Sequence, residues 1–196
     1  NHELFNKIFT WNDEIIDNKK YFKINFSYLF PQSINKALLK QKKLCTLIAG
    51  NSRNNHPLEL YSKRVEAIRW FEESHPEEFD FYGVGWNEHT SSNKYIKFLL
   101  RKLKLSKIMA PYFPCYRGKI ESKKEVLNKY KFSICYENVR DMPGYISEKI
   151  FDCFFSGCVP IYWGANNIGK HIPGTCYIDK RDFDTYEELY EFISNM

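Results

Sequence analysis

From residue 44 onward, short apolar runs alternate with amphipathic stretches. Leu44–Ala49 is apolar and stops at Gly50-Asn51-Ser52, the mark of a buried strand followed by a loop. Leu58–Glu73 carries Val65, Ile68 and Phe71 at helical spacing, and Phe79–Val84 predicts a second strand closed by Gly83 and Gly85. Ser122–Lys129 reads as a helix with Ser122 and Glu125 in capping-box spacing. Phe132–Tyr136 then predicts a strand, Tyr145–Ser156 a helix ended by Gly157, Val159–Trp163 and Cys176–Ile178 two strands, and Phe183–Ile193 a last amphipathic helix. Residues 86–120 break the rhythm and predict a loop-rich excursion with one short helix around Tyr95–Leu103. Ahead of all this stand two apolar runs, Leu4–Trp11 and Tyr21–Phe30, and a linker from Pro31 to Lys43. Strands alternating with helices predict a parallel sheet covered on both faces, an α/β, Rossmann-like domain over residues 44–196. Such sheets bind ligands at the carboxyl ends of their strands.

Composition agrees with a folded chain. Of 196 residues, 43% are hydrophobic and 27% charged, and aromatics at 17% supply a sizeable core. The longest apolar run, Cys153–Val159, is too short to cross a membrane. The start, Asn1-His2-Glu3-Leu4, lacks the basic and apolar regions of a signal peptide, and the first residue is not Met, so a targeting segment upstream stays open. A net charge of +5 favours phosphorylated ligands or an anionic surface. The basic patch from Arg101 to Lys107 reads either as a solvated helix face or as a peripheral membrane contact. Six cysteines form no C-x-x-C pair and no zinc-finger spacing, so the expectation is reduced thiols, no metal and a cytoplasmic protein.

The chemistry concentrates in Tyr130–Asn167. A buried strand ends in Glu137-Asn138, and a loop with Pro143-Gly144 delivers Tyr145, Glu148 and Lys149 to the start of a helix. Helix amino ends favour anions, Lys149 adds a full positive charge, and Glu148 suits paired sugar hydroxyls. A nucleoside diphosphate satisfies both demands. The next strand ends at Gly164, where a missing side chain would let a ligand approach. On spacing alone, Glu148 is equally a favourable first-turn acid and Lys149 a surface residue.

This segment resembles the signature of glycosyltransferase family 10, the α-1,3/1,4-fucosyltransferases. The family pattern runs Tyr-Lys-Phe, an apolar stretch, Phe-Glu-Asn, a loop, Tyr-(Ile/Val)-Thr-Glu-Lys, then a small residue and Val-Pro before a strand ending in Gly. Here Tyr136 stands for the Phe, Ser147 for the Thr and Cys158 for the small residue. The resemblance implies the donor-binding half of a glycosyltransferase-B fold with only a remnant of the acceptor domain, residues 1–43. It implies a GDP-fucose donor, a glycan acceptor, no nucleic acid, no obligatory metal or other cofactor, and inverting transfer in surface-glycan synthesis or protein glycosylation. In that frame Glu148 would hold the ribose, Asn138 and Tyr145 would orient ribose, base or sugar, and Glu137 would bind fucose or anchor the loop.

Weaker stretches of the resemblance add two residues. Thr10–Ile15 resembles the segment supplying the family's catalytic carboxylate, which makes Glu14 the candidate base, against a plain reading as a solvated acid beside Asp13 and Asp17. Lys63-Arg64-Val65 resembles the segment whose Arg contacts the donor diphosphate, with Arg53, Arg69 and Arg117 as competitors. Glu14, Arg64 and Lys149 are thus the expected catalytic set. The histidines offer no catalytic constellation, and Asp179 and Asp182 make no Asp-x-Asp metal motif. The alternatives are another nucleotide-sugar donor, or a noncatalytic nucleotide-sugar-binding module.

Overall fold

The computed structural model describes residues 2–25, 30–34, 41–89, 93–103 and 105–196. Five strands form one parallel sheet: β3 (Lys43–Ile48), β4 (Phe79–Tyr82), β5 (Tyr130–Tyr136), β6 (Val159–Trp163) and β7 (Ile178–Asp179). Two short strands precede it, β1 (Ile8–Thr10) and β2 (Tyr21–Lys23), paired parallel with each other. The large sheet has the order β4-β3-β5-β6-β7. From β3 the chain moves outward to β4, then returns across β3 to place β5 on its other side. The order therefore reverses between β3 and β5, and the carboxyl ends of those two strands frame the crevice where open α/β sheets hold ligands.

Helices cover both faces, which is why the strands read as continuous apolar runs rather than alternating ones. On one face α1 (Tyr61–Ser74) and α5 (Tyr186–Ser194) bury Ala67, Ile68, Phe71, Leu189 and Ile193 against Ile134, Tyr136 and Ile161. On the other, α3 (Lys123–Leu127) and α4 (Glu148–Phe155) bury Val126, Leu127, Ile150 and Cys153 with Cys135 and Tyr162. Five of the six free cysteines are buried, and Cys176 is exposed. Ser122 caps α3, and Thr185 with Glu188 makes a full capping box at α5.

Several elements differ from the sequence reading in extent. The last helix starts at Tyr186, because the Thr185 cap sets the boundary. The expected strand at Cys176–Ile178 is displaced: Gly174–Cys176 is a 3-10 turn after Pro173, and pairing with β6 involves Ile178 and Asp179. α4 begins at Glu148, so Tyr145 sits in the preceding loop. The short helix of the excursion is α2, Lys94–Lys102. Residues 26–29 of the Tyr21–Phe30 run, 35–40 of the linker, and Lys104 of the basic patch lie outside the described residues. No helix among the described residues is long and apolar enough to cross a membrane.

Candidate active site

At the carboxyl end of β5 the chain turns polar. Glu137, wholly buried, places its carboxylate beneath the loop that leads into α4. Its oxygens accept from the Ser147 backbone N–H at 2.7 Å, the Ser147 hydroxyl at 2.7 Å and the Lys149 ammonium at 3.0 Å. Lys149 also donates to Ser147 Oγ at 2.8 Å. Ser147 occupies the N-cap position of α4, yet its hydroxyl turns to Glu137 and makes no cap hydrogen bond. The Lys149 side chain keeps 23% of its surface exposed and lines a cleft with Ile48, Ala49, Arg64, Cys135 and Asp152. The buried carboxylate thus fixes an ammonium at the mouth of the crevice, where it can meet an anion.

Arg64 comes from the first turns of α1 and is almost fully buried. Its Nη2 donates to the Tyr136 carbonyl at 2.7 Å, the Glu137 carbonyl at 2.8 Å and Asn138 Oδ1 at 3.0 Å. These acceptors form the carboxyl edge of β5, so Arg64 braces the strand end and brings a second cation to the same crevice. Burial pushes its guanidinium pKa down, against the pull of nearby Tyr61 and Glu137. Arginine stays charged through such a shift. Asn138 passes the network on, donating to the Tyr145 hydroxyl at 3.3 Å. Burial, with the Glu137 charge behind it, raises the Tyr145 phenol pKa and keeps it protonated.

Arg64, Glu137, Asn138, Tyr145 and Lys149 therefore form one hydrogen-bonded cluster. Glu148 stands beside it but faces another way: its side chain is half exposed and pairs with Lys123 at 3.4 Å. Burial alone would raise its pKa, but the charges of Lys149 and Lys123 bring it below the usual carboxylate range. Gly164 differs from expectation. A Cβ there would collide with the Tyr162 hydroxyl and with Glu137 Cγ, so the glycine makes room for the buried carboxylate rather than for a ligand. Removing that carboxylate should be costly. Glu137→Ala deprives three donors of their acceptor, and the loss of one partner from a buried pair costs about 3–5 kcal/mol. A urea midpoint unchanged from wild type would contradict this.

Glu14 is exposed in the 3-10 turn Asp13–Ile15, its backbone N–H bonded to Asn12 Oδ1. It is not part of the cluster around Lys149. The residue the sequence reading passed over is its neighbour Asp13. This carboxylate accepts from Lys23 at 2.5 Å and from Asn167 Nδ2 at 2.7 Å, and lies 3.0 Å from His171 Nε2. Asn167 in turn accepts from the Gly144 N–H at 2.8 Å. The Trp11 and Tyr145 rings meet at 4.9 Å, and Gly144, at φ +78°, lets the Trp11 carbonyl come so close that a Cβ would clash. The β1–β2 unit is thereby clasped to the loop before α4. Nothing local in the sequence marks Asp13 for this, since two of its three partners lie 154 and 158 residues away.

Burial would raise the Asp13 pKa, but hydrogen bonds from Lys23, Asn167 and His171 outweigh it and hold the pKa at about 2, below the ordinary 3.8. A depressed carboxylate contributes stability above its unfolded pKa and loses it as the pH falls through the folded one. The thermal midpoint should therefore drop between about pH 4 and pH 2. Asp13→Asn should show a smaller drop across that window, and an identical acid limb in both proteins would remove Asp13 from the clasp.

Among the described residues, one group of potential metal ligands gathers, His75 with Glu77 and Glu78. It sits on the turn from α1 into β4, at the opposite end of the sheet from the cleft, where His75 stacks on Tyr190 and Glu78 accepts from the Tyr190 hydroxyl.

The sequence model of glycosyltransferase family 10 (fucosyltransferase), C-terminal part, matches residues 72–196, more than half of the chain and most of the cluster just described. The chain belongs to glycosyltransferase family 10. Relatives of the family match over a shorter span. The chain is 36% identical over 74 residues to the alpha-(1,3)-fucosyltransferase FucT of Helicobacter pylori, covering 38% of this chain and 15% of that protein. It is 34% identical over 70 residues to the alpha-(1,4)-fucosyltransferase of Arabidopsis thaliana, covering 36% of this chain and 17% of that one. Among solved structures, an alpha1,3-fucosyltransferase with GDP superposes at a TM-score of 0.61 and 16% identity, over 100% of this chain and 58% of that one. An alpha1,3-fucosyltransferase without a named ligand gives a TM-score of 0.59 at 17% identity, over 100% and 56%. At such identity these likenesses concern the fold: a Rossmann-like sheet of the glycosyltransferase-B kind. The chain spans a little over half of those two structures and under a fifth of the two curated relatives.

Proposed function

We propose that this chain carries the donor site of an inverting fucosyltransferase that moves fucose from GDP-fucose to a hydroxyl of a glycan acceptor, in an α-1,3-type linkage. The observation that supports this best is the pair of cations at the switch point. Lys149 is fixed by Glu137 and Ser147, and Arg64 is fixed against the end of β5, both lining one cleft. The acceptor oxygen would attack the anomeric carbon in line with the departing phosphate oxygen. That carbon–oxygen bond breaks, GDP leaves with the electron pair, and the acceptor proton passes to Glu14. Arg64 and Lys149 would meet the charge developing on the diphosphate, so the reading includes no metal. Glu137 acts through Lys149 as a positioning residue, and Asn138 and Tyr145 would face the nucleoside or sugar. In this reading residues 1–43 are the end of an acceptor-binding half and residues 44–196 the donor-binding domain. Free thiols suit a cytoplasmic setting.

Incubating the protein with GDP-fucose, with and without a panel of glycan acceptors, tests the proposal. Acceptor-dependent fucose transfer supports it. Binding of GDP-fucose without transfer would leave a nucleotide-sugar-binding module, and faster turnover of another nucleotide sugar would reassign the donor. The exposed Glu148 carboxylate is the proposed ribose contact. Glu148→Gln should therefore bring GDP and 2′-deoxy-GDP to nearly equal affinity, and a variant that still prefers ribose as wild type does would place that contact elsewhere.

A further inference from the structure

The excursion between β4 and α3 is unlike the rest of the chain. From His89 to Ile120 it holds eight Lys or Arg and no acid, while the remainder of this +5 chain is net acidic. Its base is pinned to the body of the fold. Phe81 N–H donates to the Cys115 carbonyl at 3.0 Å, and Arg117 N–H to the Phe81 carbonyl at 2.9 Å. Arg117 Nε reaches the buried Asp80 at 2.6 Å. Arg69 stacks over Phe113 at 3.8 Å and donates to the Tyr112 carbonyl at 2.9 Å, and Trp86 is buried beside Phe81 and Phe113.

Beyond that base the apolar side chains turn outward. Tyr95 is 86% exposed, Phe98 66%, Ile108 79% and Tyr112 81%, and Ile96, Leu99, Leu103 and Met109 are about half exposed or more. At about 100° per residue, the helical period puts positions 95, 96, 99, 100 and 103 in one arc and the basic positions 94, 97 and 101 in the opposite one, with position 102 at the rim of the apolar arc and position 98 between 94 and 102. Large apolar residues with a strongly basic, acid-free surround are the pattern of a helix that lies in a membrane interface. Aliphatic and aromatic groups enter the acyl boundary, and lysines and arginines snorkel to lipid phosphates. A protein partner would have to supply both an apolar groove and a dense acidic rim, whereas an anionic bilayer offers both without further design.

We propose that α2 and the described turns after it, residues 94–103 and 105–112, form a monotopic docking surface for membranes rich in anionic lipid. The base of this excursion runs beside β4, the edge strand, and none of its described residues lines the cleft with Arg64 and Lys149.

The experiment is co-sedimentation of the whole chain with vesicles of phosphatidylcholine alone, and of equal parts phosphatidylcholine and phosphatidylglycerol. Binding to the anionic vesicles should exceed binding to the neutral ones by about tenfold or more and should fall in high salt. Leu99→Glu, on the apolar arc, and Lys102→Glu paired with Lys107→Glu, at the rim of that arc and in the turn after α2, should each reduce it several-fold. Circular dichroism and the thermal midpoint should stay as in wild type, since these side chains are exposed. Equal binding to both vesicles, no binding to either, or a concentration-dependent dimer that Leu99→Glu abolishes would each overturn the proposal.

Discussion

Replacing Glu14 by Gln should cut fucose transfer by about 10²–10⁴-fold, because a general base at the acceptor proton contributes on that order. The substitution keeps the shape of the side chain and removes only its basicity. Glu14 is exposed and stands outside the Lys149 cluster, so its loss should leave GDP affinity and thermal stability within error of wild type. Asp13, one residue before it, sharpens the test. Asp13 is tied to Lys23, Asn167 and His171, and its removal should loosen the clasp that holds the Glu14 turn against the donor half. Asp13→Asn should therefore lower both stability and transfer, whereas Glu14→Gln should lower transfer alone. Wild-type transfer in Glu14→Gln would withdraw Glu14 from the mechanism.

Lys149→Ala should lower turnover by about 10²–10³-fold, the usual effect of deleting one charged donor from a developing anion. The structure adds a complication the sequence did not show. Lys149 also neutralises the buried Glu137, so the alanine variant leaves that carboxylate with Ser147 alone. Lys149→Gln is the better probe, since it keeps a donor near Glu137 and removes the charge. A drop of similar size in both variants, read on folded protein by circular dichroism, assigns the effect to charge. Wild-type turnover in Lys149→Gln would remove the ammonium from the reaction.

What the sequence made legible follows from how local each signal is. β3, β5 and β6 are short apolar runs bounded by glycine or polar residues, and a parallel sheet buried on both faces leaves that pattern whatever the strand order. The order itself is a tertiary fact: nothing in residues 44–136 says that β4 lies outside β3 while β5 lies inside it. The strand at 176–178 went astray because Pro173-Gly174 turns the chain first, and pairing then begins at Ile178. Within the site, Lys149 and Glu137 were legible through the family signature, yet their direct pairing was not. Gly164 was visible as a missing side chain, but what fills the gap, Glu137 and Tyr162, emerges only from packing. The Asp13 clasp was beyond reach, because a solvated acid and the hub of a long-range network look the same in one dimension. The exposed apolar face of α2 was hidden for the opposite reason, since periodicity shows an amphipathic helix without showing which way it faces.

Titration of GDP into the 196-residue chain, followed by calorimetry, isolates the donor site, because GDP binding depends on the β3–β5 crevice and on nothing the acceptor supplies. Binding should saturate at one site per chain and weaken about tenfold or more in Lys149→Gln, a difference of about 1.4 kcal/mol. Heats that never saturate, or a variant that binds GDP as tightly as wild type, would contradict the proposed donor site.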